Sequence, residues 1–358
     1  MDMGMGLDGL DEEEMICLAT ETSLKEQNNP GKAENMNAER TRGGAMDGNA
    51  TRLLISKAIS TNGLIQYCNG VVKEGKEAVV YHADGNDDIN SESGGFDVAV
   101  KVFKHIQEFR GRSAYIDGDP RYYGQKFSNV DKRQQVEVWT EKEYRNLLRA
   151  SRAGVPVPTP LMQKENVLFM RFLGEGGWPS PQLREVELRK SSKKWTALYT
   201  QTLLAVRKLY QCAKLVHADL SEYNILVCPM SQVQNAFDKD EEAKDSLQIV
   251  LIDFGQAVEI RHPSAGDLLR RDLTIVKSFF HNQGIKTLSL KDSEQFVLKD
   301  IENDDVTDDE QDTKEEKCTS ITEQESFEKR PTGPDDVKDM EWIETKLLEM
   351  SPKSAGPS

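Results

Sequence analysis

The feature that most constrains this chain is the segment Leu215-Val216-His217-Ala218-Asp219-Leu220-Ser221-Glu222-Tyr223-Asn224-Ile225-Leu226. It sets a carboxylate, Asp219, five residues before a carboxamide, Asn224. Upstream, Leu198, Leu203, Val206, Leu209 and Tyr210 mark a long helix with one apolar face, and downstream Ile225-Leu226-Val227 reads as a strand. A loop held between such elements can offer Asp219 to accept or orient a hydroxyl proton, and Asn224 to reach a metal ion from the same loop. The fold must therefore run helix, loop and strand in that order around one site.

Three further pieces, in a set order, carry a signal that none carries alone. Ile249-Val250-Leu251-Ile252-Asp253-Phe254-Gly255 is an apolar strand ending in an acid and a glycine. Many buried strands end in an Asp that only caps a turn. This one comes a short hairpin after Asn224, so Asn224 and Asp253 are the expected ligands of a Mg²⁺ ion bridging nucleotide phosphates. Asp97-Val98-Ala99-Val100-Lys101-Val102-Phe103 alternates as a strand and sets Lys101 among apolar neighbours. It resembles the Val-Ala-Ile-Lys strand of protein kinases, and that resemblance implies a glutamate partner on the helix from Val136 to Ala150, with Glu143 preferred and Glu141 as the alternative. Alone, Lys101 would read as an edge-strand solubiliser. From Gly70 to Tyr81 a small basic turn separates two apolar stretches. Backbone N–H groups in such a turn can wrap phosphates, provided glycine stands where a side chain would block the approach. Val72, Lys73, Gly75, Lys76, Glu77, Ala78 and Val80 are its nucleotide-side candidates. Alone it reads as an ordinary surface hairpin, because the match to Gly-x-Gly-x-x-Gly is poor.

Composition bounds the folded part. The 358 residues are 37% hydrophobic and 30% charged with net charge -15, polar enough that sizeable segments bury no core. Residues 1–48 read as a flexible N-terminal arm and residues 302–358 as an acidic C-terminal tail. Asp304, Asp305, Asp308, Asp309, Glu310 and Asp312 would repel one another if compacted. Met340, Ile343, Leu347 and Met350 fall at helical spacing, and a fraying tail is preferred over a short helix docked on a partner or on the chain's own core. The span 49–301 is the expected domain, with an N-lobe at about 60–170 and a C-lobe at about 174–301. Its strand-rich first half and helix-rich second half fit an α+β, two-lobed architecture. Polar runs at Asp84–Gly95 and Pro229–Ser246 read as surface insertions.

No stretch has the apolar length to span a bilayer and the start lacks a signal-peptide pattern, so a soluble intracellular chain without a membrane partner is expected. Five scattered cysteines without a Cys-x-x-Cys pair imply reduced thiols. The acidic balance argues against gripping nucleic acid over the whole surface. One loop is basic: Lys104, Arg110, Arg112, Arg121, Lys126, Lys132 and Arg133, with Tyr115, Tyr122 and Tyr123. It reads either as a solvated loop or as an RNA contact in which tyrosines stack on bases.

Ordinary protein kinases follow the metal-site Asp with a long activation segment ending in Ala-Pro-Glu. Here only Gln256 to Gly266 precedes the next helix, and Ser221 stands where most place a Lys near the transferring phosphate. Leu215 to Asn224, Gly75-Lys76-Glu77-Ala78, Trp139-Thr140-Glu141-Lys142-Glu143-Tyr144-Arg145-Asn146-Leu147 and His262-Pro263 together closely resemble the RIO family of atypical serine/threonine protein kinases. The resemblance spans about residues 60 to 285 and fits the type 1 or type 3 branch, with Glu77 to Ala83 leaning toward type 3.

It implies a bilobal kinase-like fold with a reduced C-lobe, ATP between the lobes, and adenine at a hinge of Met170, Arg171, Phe172 and Leu173. It further implies Mg²⁺, with Mn²⁺ as a substitute, and an aspartyl-phosphate intermediate on Asp253. ATP turnover would serve maturation of the small ribosomal subunit, with the pre-40S particle, its RNA and a protein phosphoacceptor as partners, in the cytoplasm with shuttling to the nucleus. The chain departs from the family in having Lys73-Glu74 where Ser-Thr is usual, and in Asp253-Phe254-Gly255, which is closer to ordinary kinases. The alternatives are a small-molecule phosphotransferase and a non-catalytic ATP-binding assembly factor.

Overall fold

The computed structural model describes residues 48–60, 63–86, 96–104, 112–116, 131–233, 235–236, 246–299 and 336–349. Strands β1 (Ile65–Glu74), β2 (Ala78–Gly85), β3 (Val98–Phe103), β4 (Pro160–Lys164) and β5 (Val167–Arg171) form one antiparallel sheet in the order β1-β2-β3-β5-β4. The period-two alternation divides its faces. Val79, Tyr81 and Ala83, with Val98, Val100, Val102, Val167 and Phe169, build a core with Ile55 and Ala58 of helix α1 (Gly48–Ser60). The sequence reading assigned no element to α1.

Register puts Val80 opposite Lys101 and Lys101 opposite Leu168, and puts Ala99 opposite Met170, so all five share the other face, toward the C-lobe. Helix α2 (Lys132–Arg152) starts at Asp131, whose side chain accepts from Arg133 N. It buries Val136, Trp139 and Leu147 in the core that continues into the second lobe.

After the two-stranded hairpin β6 (Gly174–Glu175) and β7 (Trp178–Pro179), the C-lobe is built on α3 (Lys193–Gln211). Short strands follow: β8 (Leu215–Val216), β9 (Ile225–Pro229), β10 (Leu247–Leu251) and β11 (Val258–Glu259). β9 pairs with β10 and β8 with β11, which folds the segment around Asp219 back against the segment around Asp253. Helices α4 (Ala265–Asn282) and α5 (Leu290–Leu298) close the lobe, with Trp195 packed edge to face and Tyr199 at a tilt on Phe280.

The fraying tail expected at the C-terminus does not hold for residues 336–349, which form α6 (Asp336–Glu349). Ile343 and Leu347 are buried in the main core, Trp342 stacks on Phe296 at 5.1 Å, and buried Arg207 donates to Asp339 at 2.9 Å. The acidic run 304–312 lies outside the described residues. Ile343→Ala is expected to weaken this docking by about 2–4 kcal/mol, read as faster hydrogen exchange across α6. Fast exchange there in the unsubstituted chain would show that the helix is not docked in solution.

Candidate active site

The facing ends of both lobes bring Lys101, Glu143, Asp219, Asn224 and Asp253 to one cleft. Lys101 Nζ, in the centre of β3, donates to Glu143 Oε1 at 2.7 Å and Oε2 at 2.9 Å, and to Asp253 Oδ1 at 3.3 Å. Burial opposes the Lys101 charge, but Asp253 and Glu143 outweigh it and hold the ammonium well above its ordinary range. Burial pushes the Glu143 carboxyl up against the pull of Lys101. Glu141 points elsewhere and pairs with Arg145 one helical turn on, at 2.6 Å. Burial also raises Asp253, yet Lys101 more than offsets this, so its carboxyl is held below the usual carboxylate range.

Asp219 is fixed from several sides. Its Oδ2 accepts from Gln256 Nε2 at 3.0 Å and from Asn224 Nδ2 at 3.4 Å, and its carbonyl accepts from Asn224 Nδ2 at 2.8 Å. Burial, then the nearby Asp253 charge, push it up to about 6. The loop itself is held by Asp272 of α4, buried, which accepts from Ala218 N at 2.8 Å and Leu220 N at 3.2 Å, while Arg271 donates to Ala218 O. These bonds hold Ala218 at a φ of 62°, a left-handed conformation that costs free energy outside glycine, and Asp253 also lies in that region at 67°. His217 donates from Nε2 to Ile252 O at 3.0 Å and lies 4.8 Å from the Phe254 ring; burial pushes it down to about 4, so it is neutral.

Helix α2 carries more than Glu143. Lys142 Nζ, fully buried, donates to Gly255 O at 2.8 Å and Ala257 O at 2.5 Å. Asn146 Nδ2 donates to Phe254 O at 3.0 Å and Ala257 O at 3.1 Å. A Cβ at Gly255 would sit 2.9 Å from Trp139 Nε1, so only glycine lets the backbone between β10 and β11 pass this close to the helix. One face of α2 therefore grips both the Lys101 partner and the backbone after Asp253.

The hairpin turn Gly75-Lys76-Glu77 is closed by Gly75 N donating to Ala78 O at 2.8 Å. Lys73 pairs in register with Val80, and Val72 sits at a shift in that register. Lys73, Gly75, Lys76 and Glu77 are exposed, whereas Ala78 is buried. At the other end of the cleft, Met170 and Arg171 finish β5, Phe172 N donates to Asp97 O at 2.7 Å, and Leu173 O accepts from Ser180 N at 2.9 Å. Close to this hinge, His82, Asp84 and Asp97 gather, but His82 is satisfied by Asn69 and Asp97, each at 2.9 Å.

Sequence reasoning missed Lys142, Asn146, Gln256 and Asp272. A signal existed for the first two, since polar residues recur on the same helical face as Val136, Trp139 and Leu147. The basic-loop reading is corrected in part. Arg112 is buried and Tyr115 packs against the core, so neither presents itself to RNA. Arg110, Arg121, Lys126, Tyr122 and Tyr123 lie outside the described residues.

A small β-lobe and a helical lobe that close on a lysine–glutamate pair, facing an Asp-to-Asn loop, define the class of bilobal kinase-like proteins. A family model, the RIO domain, matches residues 79–234 and 243–293. The chain belongs to the RIO family. It is 38% identical over 243 residues to serine/threonine-protein kinase RIO1 of Caenorhabditis elegans, covering 67% of this chain and 42% of that one. It is also 38% identical over 241 residues to human serine/threonine-protein kinase RIO3, covering 66% of this chain and 42% of that one. The match thus spans less than half of either relative's length. The crystal structure of the Rio2 kinase from Chaetomium thermophilum shares the fold, with a TM-score of 0.50, 19% identity, and coverage of 96% of this chain and 98% of that one.

Proposed function

We propose that this chain is an ATP-dependent serine/threonine kinase and ATPase of the RIO type. The observation that carries the reading is the single Lys101 ammonium joined to both Glu143 and Asp253, across from Asp219 and Asn224. ATP would lie between the lobes, with its adenine toward Met170, Arg171 and Leu173 and its phosphates toward Lys101 and the Gly75 turn.

The donor set suits Mg²⁺, or Mn²⁺ in its place. Asn224 spends its Nδ2 on Asp219, which leaves the amide oxygen to face a cation, and Asp253 spends only Oδ1 on Lys101. Hard oxygen donors of this kind favour such ions. When bound, the ion would neutralise charge on the bridging phosphates. Asp219 would take the proton of the attacking hydroxyl, its Oδ2 fixed by Gln256.

We further propose that Asp253 carries the phosphoryl group in transit. Its carboxylate oxygen would bond to the γ-phosphorus as the bond to the β-phosphate oxygen breaks and ADP departs. A hydroxyl of the acceptor, or water, would then take the phosphoryl group. The pre-40S particle and its RNA are the proposed setting, in the cytoplasm, on the strength of the family resemblance. No described helix has the length and apolarity to cross a membrane.

The test is incubation of the chain with γ-labelled ATP and Mg²⁺. Slow hydrolysis with acid-stable, hydroxylamine-labile label on the protein is expected, and Asp253→Ala should lose both. Hydrolysis unchanged in Asp253→Ala and Asp219→Ala would sink the reading, whereas turnover without bound label would remove only the covalent step.

A further inference from the structure

Residues Arg112–Tyr115 form one 3₁₀ turn that, with Ile116, touches both lobes. Ile116 is buried in the main core. His262, beyond Asp253 in the C-lobe, donates from Nε2 to Ala114 O at 2.9 Å, and its tautomer is set because Nδ1 accepts from Ser264 N at 3.1 Å. On the N-lobe side, Arg112 Nη2 lies 2.5 Å from Glu77 Oε2, and its guanidinium stands 4.6 Å from the Trp139 ring centroid.

Glu77 is an awkward residue in a turn read as facing phosphates, because a carboxylate there repels them. The cleft already holds Glu143, Asp219 and Asp253, and the Glu77 charge contributes to the upward shift of both Glu143 and Asp219. Arg112 acts in the opposite sense on Asp253. Ser221 leaves the catalytic loop without a lysine of its own.

We propose that Arg112 to Ile116 is a cross-lobe strap in which Arg112 cancels the Glu77 charge, so that the phosphate-side turn accepts the polyphosphate of a nucleotide. Arg112 is thus a positioning residue that acts through Glu77. This rests on the ATP-binding reading above. The side chain of Glu77 is 49% exposed, so solvent screening keeps the effect moderate.

The experiment is calorimetric titration of the full chain with Mg²⁺–ATP and, separately, with adenosine, which has no phosphates. Arg112→Ala should weaken Mg²⁺–ATP about tenfold and leave adenosine within about twofold. Adding Glu77→Gln to Arg112→Ala should bring Mg²⁺–ATP back to within about threefold of the unsubstituted chain. Glu77→Gln alone, which keeps the Arg112–Trp139 stack available, should bind Mg²⁺–ATP at least as tightly as the unsubstituted chain. A packing role predicts the opposite: adenosine falls in parallel and the double variant stays as weak as Arg112→Ala. Either result overturns the proposal, as does a tenfold loss in Glu77→Gln alone, the arm that decides should Arg112→Ala not fold. An unsubstituted chain that binds adenosine or nothing, but no Mg²⁺–ATP, overturns the ATP reading itself and is recognised in the first titration.

Discussion

Asp219→Asn is expected to lower kcat for ATP turnover by about 10²–10⁴-fold while leaving Mg²⁺–ATP affinity within about threefold. Asparagine has the same shape, so its single amide oxygen can still accept from Gln256 Nε2, which lies 3.0 Å from Asp219 Oδ2 in the unsubstituted chain, and Asp272 still holds the loop backbone. What is lost is the group that takes the proton. The pH dependence follows with a definite sign. Burial, then the Asp253 charge, raise Asp219 to about 6, and only the ionised form can act as a base. The kcat/KM of the unsubstituted chain should therefore be flat above that value and fall as pH drops through it. Asp219→Asn should lose that acid limb along with the rate. Equal rates in the two proteins at pH 8, a value chosen well above the titration, would take Asp219 out of the proton transfer.

The pieces legible in the sequence are those whose geometry is local. Asp219 and Asn224 lie on one loop, so their five-residue spacing nearly fixes their relation, and the structure joins them by a direct hydrogen bond. Lys101 and Asp253 are 152 positions apart, and only the strand patterns on either side suggested that both would end at one cleft. Glu143 could be separated from Glu141 by helix phase, since it lies four residues beyond Trp139 and four before Leu147. Glu141 shares its exposed face with Arg145.

Buried polar residues that cap distant backbone were not legible. Asp272 looks in sequence like any acid on an amphipathic helix, and its role exists only because Ala218 and Leu220 turn their amides toward it. Arg112 sat in a basic run, and composition cannot distinguish an arginine in solvent from one paired under a hairpin. The same holds for α6: its apolar spacing predicts a sticky face, but not which surface the face covers.

Lys142→Met is expected to cost about 1–3 kcal/mol of folding stability, although methionine fills nearly the same volume. Two effects compete. Removing Lys142 relieves the penalty of keeping an amino group away from water, at a site with 0% exposure. Against that, Gly255 O and Ala257 O lose a shared donor at 2.8 and 2.5 Å. An acceptor left unsatisfied in the interior costs about 1–3 kcal/mol. Asn146 still reaches Ala257 O at 3.1 Å, so Gly255 O carries most of the loss. The loss should show as a lower urea midpoint at unchanged slope. Arg145→Met is the control, because its pairing with Glu141 is on an exposed helix face and should be worth under about 0.5 kcal/mol. Equal, small effects in both variants would mean that α2 does not hold the backbone after Asp253. A large effect in Lys142→Met alone would make this helix the common support of Lys101 and Asp253, so that the two sides of the cleft cannot separate without breaking it.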